Sequence, residues 1–184
     1  MPHRSWCGHR DPVLIRREQP SDHHAVREVV RAAFADQAPP GAEPVEIGLL
    51  DALRADHGWI PELSMVAVLD DEVVGHVVCT RAHVGAEPAL GLGPLAARPE
   101  LQRQGIGSAL MHAVLGAADA LGEPLVVLLG HLDYYPRFGF RPAVDYGITP
   151  PVAEWGAHFQ ARPLTAYRPT IRGEFEYAKP FNDL

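Results

Sequence analysis

Hydrophobic spacing divides the first third of the chain into one strand and two helices. A short run of branched apolar residues over 13–16 predicts a first strand. Apolar residues at helical spacing then predict a helix that begins near Ser21 and a second helix over 45–55. Residues 36–44, which include two adjacent prolines and a glycine, are interpreted as the loop between the helices.

The middle of the chain changes to strand patterns separated by short polar turns. Residues 65–69, 73–83 and 89–96 each predict a strand. The connections between them, at 70–72 and 85–88, are too short for crossovers. Three consecutive strands with such connections predict an antiparallel meander.

A helix and a buried strand follow the meander. Residues from about 104 to 121 predict a helix whose apolar positions recur every three or four residues. The continuous apolar run 125–129 is typical of a strand buried on both faces. A short helix near Tyr134 and a strand near Phe140 complete this unit. In the tail, residues 164–167 and 174–178 predict a final hairpin, with its turn at 172–174.

Composition limits the class of protein. The 184 residues are 47% hydrophobic and 21% charged, which favours a folded domain over disorder. We predict a flexible N-terminal tail over 1–12 and a single domain over 13–184, with a C-terminal extension from about residue 150. The formal net charge of −7 and the lack of a basic run argue against a nucleic-acid partner. No apolar segment is long enough to span a membrane.

Cysteine and histidine usage gives two further expectations. Cys7 and Cys79 are too few for a disulfide framework and are interpreted as free thiols, which predicts a cytoplasmic protein. The ten histidines show no ligand-type spacing on one element, so no metal site is expected.

The segment with the strongest chemical signal lies where the fourth strand gives way to the long helix. Gly105 and Gly107 occur at the helix start, where unpaired N–H groups and the helix dipole attract phosphate. Arg103 adds a cation and Ser108 a hydroxyl group. The Rossmann fingerprint does not fit, because Leu110 occupies the position of its third glycine, and no Gly-Lys-Ser/Thr follows for a P-loop. An ordinary glycine-rich helix start remains the alternative to a phosphate cradle.

Two motifs together resemble one family. Gln-Arg-Gln-Gly-Ile-Gly at 102–107 is similar to the Gln/Arg-x-x-Gly-x-Gly/Ala pyrophosphate loop of the GNAT superfamily of acetyl-CoA-dependent N-acetyltransferases. Tyr-Pro-Arg-Phe-Gly-Phe at 135–140 is similar to the later Tyr-x-x-x-Gly-Phe element of that family. The resemblance spans about residues 13–142 in element order, and residues 130–140 are similar to an uncharacterised bacterial branch.

The resemblance implies an α+β GNAT fold. Its central, mostly antiparallel sheet is flanked by helices and splayed between the fourth and fifth strands, here 89–96 and 124–129. Acetyl-CoA would lie in that splay as co-substrate, with its diphosphate on the helix start. The resemblance assigns it these residues: Leu95, Ala96, Ala97, Gln102, Arg103, Gln104, Gly105, Ile106, Gly107, Ser108 and Tyr134.

The implied reaction is direct attack of a primary amine, on a small molecule or a protein, upon the acetyl group in a ternary complex. Tyr135 would be the general acid, since a phenol with a pKa near 10 keeps its proton at pH 7; the alternative is that its ring only packs against the coenzyme. The fourth strand carries no acidic residue, so the base is assigned to His131 or His76, or is dispensable.

Other readings stay open at the sequence level. Glu43, Glu46 and Glu62 border the region that would receive the acceptor, or are simply solvated. The tail aromatics, among them Trp155 and Tyr177, fill the core, extend the sheet or form a wall of the acceptor pocket. A noncatalytic acyl-CoA sensor, transfer of a longer acyl group, an oxygen acceptor and a homodimer are the remaining alternatives.

Overall fold

The computed structural model describes residues 12–183, so the predicted tail over 1–12, with Cys7, lies outside the described residues except for Pro12. Within these described residues, three α-helices and nine strands carry the fold. The helices are α1 His23–Phe34, α2 Val45–Ala55 and α3 Ile106–Ala120. The strands are β1 Leu14–Arg17, β2 Trp59–Leu69, β3 Glu72–Val84, β4 Glu87–Ala97, β5 Leu125–Leu129, β6 Arg141–Pro142, β7 Ile148–Thr149, β8 Phe159–Pro163 and β9 Gly173–Glu176.

The main sheet is mixed, which confirms the predicted fold class. Its strand order is β1-β2-β3-β4-β5-β8-β6, and within this order only β4 and β5 are parallel neighbours. These two strands pair at Leu90–Val126 and Gly91–Val127, while β4 continues to pair with β3 as far as Ala97. The sheet therefore opens between β4 and β5 after Gly91; this gap is called the sheet opening below.

Alternation along β2 places the helices on opposite faces of the sheet. Met65 and Ala67 pack in a cluster with α3, whereas the intervening Val66 packs in a cluster with α1 and α2. The two-residue period of a strand requires this division, because successive side chains point to opposite faces. Leu110 and Val114 of α3 are fully buried, and each such side chain contributes roughly 1.5–3 kcal/mol through burial.

The long helix begins two residues later than the sequence pattern predicts. Arg103 and Gly105 adopt left-handed backbone conformations, with φ values of 61° and 91°, so helical geometry starts only at Ile106. Glycine adopts this region without the steric penalty that a side chain brings. The start of α3 is therefore fixed by a sharp change of chain direction directly after β4.

The predicted hairpin at the end of the chain is wrong. Residues 164–167 form a turn, and the strand lies just before them, at β8, which pairs with β5. Gly173 begins β9 instead of turning the chain, and β9 pairs with β3 and β7. Pro163 obscured the strand pattern, but it is the last residue of β8, where a missing N–H costs little.

Three findings concern the expectations drawn from composition. No helix within residues 12–183 is long and apolar enough to cross a membrane. The same part of the chain holds no group of three metal-ligating side chains placed around a common point. Cys79 is a free, fully buried thiol, and burial raises its pKa far above the ordinary value.

Candidate active site

A cavity of about 1380 Å³ runs through the sheet opening. On one face of the sheet it reaches the start of α3, at Gly105, Gly107 and Ser108. On the other face it reaches α1 and α2, at Phe34 and Glu46. The opening between β4 and β5 thus joins two chemically different regions, which are called the cradle end and the helical end.

The cradle end is formed by the first turn of α3. No side chain caps this helix, so no side chain accepts a hydrogen bond from its first N–H groups, at Gly105 and the residues after it. Arg103 and Arg137 line the same end of the cavity. Free backbone donors, a helix dipole and two guanidinium groups together favour an anionic ligand.

Tyr134 closes the cradle end from the opposite side. A Cβ on Gly107 would lie 2.7 Å from the Tyr134 hydroxyl oxygen, so only glycine permits this approach. The Arg137 guanidinium carbon lies 4.8 Å from the centre of the Tyr134 ring, a cation–π arrangement. Burial raises the pKa of Tyr134, and a hydrogen bond with Ser108 partly offsets this effect.

Tyr135 lies beside the sheet opening. It begins a short 3-10 helix, Tyr135–Phe138, and its ring contacts Phe140 edge-to-face with centroids 6.0 Å apart. Burial, with a smaller contribution from neighbouring Tyr134, raises the pKa of Tyr135 to about 12. The phenol therefore keeps its proton at every pH at which the protein would be assayed.

The edge of β4 that faces the opening is available for recognition. Leu92 to Ala97 have no strand partner on the β5 side within the described residues. Leu95, Ala96 and Ala97 all line the cavity, and the Gln102 amide donates a hydrogen bond to the Ala97 carbonyl oxygen at 3.4 Å. An extended ligand can pair with such an edge as an additional strand would.

The structure brings most of the candidate residues to this cavity, but not all of them. Leu95, Ala96, Ala97, Gln102, Arg103, Gly105, Gly107, Ser108, Tyr134, Tyr135 and His131 line it. The side chain of Ile106 is instead buried in the core, and the Gln104 amide donates to the Glu100 carbonyl oxygen. Neither residue lines the cavity, so any contribution from them would come through the backbone.

The two candidate histidines have different surroundings. His131 follows β5, is exposed and lines the cavity. His76 on β3 is fully buried and does not line it. Its Nε2 lies 3.0 Å from Ser64 Oγ and 3.4 Å from a Glu18 carboxylate oxygen, and burial lowers its pKa. The structure thus separates His76 from the cavity and places it in a buried polar cluster.

The helical end is mainly apolar. Phe34 of α1 and Leu49 of α2 line it together with Trp155, Tyr177 and Phe181 from the C-terminal part of the chain. Two of the candidates left open by the sequence, Trp155 and Tyr177, therefore form part of the cavity wall.

Of the three candidate glutamates, only Glu46 lines the cavity. Glu43 instead forms ion pairs with Arg27 and Arg31, and Glu62 lies on β2 away from the cavity. The Glu46 carboxylate thus belongs to the helical end, together with the apolar side chains.

Sequence reasoning missed Arg137, Phe34 and Phe181 as cavity residues. Arg137 lies inside the second motif, and its positive charge beside an expected phosphate site was an available signal. Phe34 is one of the apolar residues at helical spacing that predict α1, and periodicity does not distinguish a cavity wall from a packed interior. Phe181 lies in a short C-terminal 3-10 helix, Lys179–Asp183, which no sequence pattern indicated.

Comparison with known proteins gives one consistent result. The family model for the acetyltransferase (GNAT) family matches residues 24–140. The uncharacterised N-acetyltransferase YjhQ of Escherichia coli is 34% identical over 168 residues, covering 87% of this chain and 89% of that protein.

Two solved structures match over nearly the whole chain. The GNAT family N-acetyltransferase YhbS from Escherichia coli, in complex with CoA, has a TM-score of 0.82 and 30% identity, covering 95% of this chain and 96% of that one. A GNAT family acetyltransferase from Brucella melitensis, in complex with acetyl-CoA, has a TM-score of 0.75 and 32% identity, covering 92% and 98% respectively.

Proposed function

The chain belongs to the acetyltransferase (GNAT) family, and we propose that it transfers the acetyl group of acetyl-CoA to a primary amine. The observation that carries this proposal is the cavity through the sheet opening. It joins an anion-binding cradle to an apolar region that holds one carboxylate, and Tyr135 lines the same cavity. A two-substrate transfer requires such a passage, because the two substrates must meet with their reacting atoms in contact.

Acetyl-CoA fits the cradle end and the β4 edge. YhbS and the Brucella protein were solved with CoA and acetyl-CoA, and both match this fold over more than nine-tenths of the chain. The uncapped N–H groups of α3, with Arg103 and Arg137, would hold the diphosphate. The backbone of Leu95 to Ala97 would pair with the amide groups of the extended arm.

Tyr135 is proposed as the general acid. Acetyl-CoA, when bound, supplies an acetyl group activated as a thioester. Tyr135 keeps its proton, because burial raises its pKa to about 12, and it would donate that proton to the departing sulfur. A buried phenol cannot remain ionised, so it would regain a proton from solvent before the next turnover.

His131 is proposed as the group that receives the amine proton, directly or through water. Of the two candidate histidines, only His131 lines the cavity. An amine must lose its proton before it can attack, and an exposed imidazole can pass that proton to solvent. His76 has no path to the cavity in this structure, so it is not proposed to act in the reaction.

The test is release of free thiol from acetyl-CoA in the presence of a panel of primary amines. Tyr135→Phe should lower kcat about 100-fold, since a general acid contributes at least that much. It should leave the Kd for acetyl-CoA unchanged, because the ring remains. Tyr146→Phe is the matched control, since Tyr146 packs against Tyr167 away from the cavity and should keep full activity.

Two results would contradict the proposal. Unchanged kcat in Tyr135→Phe would remove the tyrosine from the mechanism while leaving acetyl transfer in place. Acetyl-CoA binding without thiol release for any amine would instead indicate a sensor of acyl-CoA. Product mass would show which acyl group is transferred and whether nitrogen or oxygen receives it.

A further inference from the structure

The charge and the apolar lining of the helical end indicate which class of acceptor the cavity can bind. Resting on the proposed transfer of acetyl groups to amines, we infer that the acceptor is a primary amine borne on a flat, apolar body of aromatic size. Its ammonium group binds beside Glu46, and its body lies against Trp155, Tyr177 and Phe181, which are called the aromatic wall below.

Positive and negative side chains lie at different ends of the cavity. Arg103 and Arg137 line the cradle end, whereas Glu46, on α2, is the sole carboxylate among the described residues that line the cavity. Within residues 12–183, Glu46 has no hydrogen-bond or ion-pair partner, unlike Glu43, which pairs with Arg27 and Arg31. An unpaired, half-buried carboxylate attracts a cation, and the acceptor arrives at neutral pH as an ammonium ion.

The aromatic wall gives this end its shape. The rings of Tyr177 and Phe181 are 4.6 Å apart and tilted by 33°, and Trp155 contacts Tyr177 edge-to-face at 6.2 Å. Tyr177 is pressed against β4, since a Cβ on Gly91 would lie 2.7 Å from its ring. The wall is therefore anchored at the point where β4 and β5 part, beside the place where the acetyl group would lie.

Apolar residues of α1 and α2 line the cavity together with the aromatic wall, and Leu49 packs in one cluster with Phe181. Phe34 lines the cavity from α1, and Leu49 lies one turn after Glu46 on α2, so both share the cavity with the carboxylate. An ammonium group held at Glu46 thus shares its end of the cavity with apolar side chains of α1, α2 and the C-terminal segment. A flat apolar body placed there gains from burial and from stacking on the aromatic faces.

The same arrangement disfavours two other classes of amine. A polyamine would bury a second ammonium group with no second carboxylate to receive it, and attraction to the aromatic faces would offset only part of that desolvation cost. A small polar amine such as ethanolamine would leave the apolar surfaces in contact with water and gain little from them. Burial of one aromatic ring strengthens binding of an amine by roughly 10- to 100-fold. We expect the kcat/KM of an aromatic amine to exceed that of a small polar amine by a factor in this range.

The experiment compares kcat/KM for 2-phenylethylamine, ethanolamine and spermidine at saturating acetyl-CoA. We expect 2-phenylethylamine to exceed both of the others by at least about 10-fold. Glu46→Gln should raise the KM for 2-phenylethylamine about 10-fold or more and leave the Kd for acetyl-CoA unchanged. Glu43→Gln is the matched control, since Glu43 is exposed, paired and outside the cavity.

A second pair of variants tests the aromatic wall. Trp155→Leu and Phe181→Leu should each lower kcat/KM for 2-phenylethylamine and leave that for ethanolamine nearly unchanged. Both variants keep an apolar side chain, and an undiminished thermal shift with acetyl-CoA would show that they fold. Calorimetric binding of 2-phenylethylamine to the CoA-bound protein provides a readout that does not depend on turnover.

The outcomes separate this inference from the proposed function. The inference is overturned if ethanolamine or spermidine is acetylated with a kcat/KM equal to that of 2-phenylethylamine. It is also overturned if Glu46→Gln leaves the KM for 2-phenylethylamine unchanged. In both cases acetyl transfer to amines stands. If acetyl-CoA binds but no amine releases thiol, the proposed function fails and the inference fails with it.

Discussion

At the scale of single residues, Gly130 determines where the proposed acid lies. A Cβ at this position would fall 2.1 Å from the Tyr135 ring, a distance that no packing adjustment of a side-chain tip can relieve. Gly130→Ala should therefore displace the ring and lower kcat about 100-fold, since a shift of about 1 Å in a reacting group has that effect. Steady-state thiol release measures this change.

Gly116→Ala is the control for Gly130→Ala. Gly116 lies inside α3, and nothing stands within 4 Å of the position its Cβ would take. Alanine favours a helix interior over glycine by about 1 kcal/mol, so this variant should be more stable and fully active. Full activity in Gly130→Ala would show that the position of the Tyr135 ring does not control the rate.

At the scale of elements, a buried polar cluster joins strands β1 to β3 to helix α2. Glu18, directly after β1, accepts hydrogen bonds from Ser64 on β2 and Arg54 on α2 and lies against His76 on β3. Burial opposes ionisation of Glu18, but the hydrogen bonds and charges of these partners outweigh it and lower its pKa to about 2. The cluster, which sequence reasoning treated only through His76, therefore stabilises the fold.

The sign of the pH dependence follows from this cluster. The pKa of Glu18 falls from an ordinary 4.5 to about 2 on folding, so its contribution is complete above about pH 4.5 and is lost as the pH falls toward 2. Glu18→Gln should lower the free energy of unfolding by about 3 kcal/mol at pH 7, since it removes one charge from a buried pair. Denaturant titration at pH 7 and pH 3 measures both effects.

The difference in free energy of unfolding between Glu18→Gln and the wild-type protein should be smaller at pH 3 than at pH 7. At pH 3 the ionised Glu18 carboxylate of the wild-type protein contributes less to stability. Glu28→Gln is the control, because Glu28 is paired with Arg31 on the exposed face of α1 and should leave stability unchanged. An equal loss of stability in the two variants, or a difference that does not depend on pH, would contradict the assigned role of Glu18.

Local signals decide which elements the sequence can predict. The meander follows from strand patterns separated by short polar turns and β5 from a continuous apolar run, and the structure contains them. β8 escaped notice because it ends in Pro163 and because its partner, β5, is distant in the chain. Likewise, the cradle lies within one contiguous motif, whereas the helical end is assembled from α1, α2 and the last residues of the chain, whose proximity only the fold establishes.

At the scale of the whole molecule, the sheet opening interrupts the hydrogen-bonded sheet between β4 and β5 without dividing the apolar core. Each of the two largest apolar clusters contains residues of both strands: one holds Leu90 with Val126, and the other holds Ala89 with Val127. β4 and β5 share only two paired positions, Leu90–Val126 and Gly91–Val127. A ligand that lies in the opening would contact both sides and supply the hydrogen bonds that the parted strands do not make.

Hydrogen exchange in the presence of CoA tests whether a ligand in the opening supplies these hydrogen bonds. With CoA at 100 times its Kd, amides of Leu92 to Ala97 that exchange only from the free state should slow about 100-fold. Leu14–Arg17, an edge strand far along the sheet, should exchange by local fraying at an unchanged rate. ADP, which carries the diphosphate without the extended arm, should protect the start of α3 and leave β4 unaffected. Protection of β4 by ADP, or equal protection of every strand by CoA, would mean that ligand binding tightens the molecule as a whole and that the β4 edge is not the recognition surface.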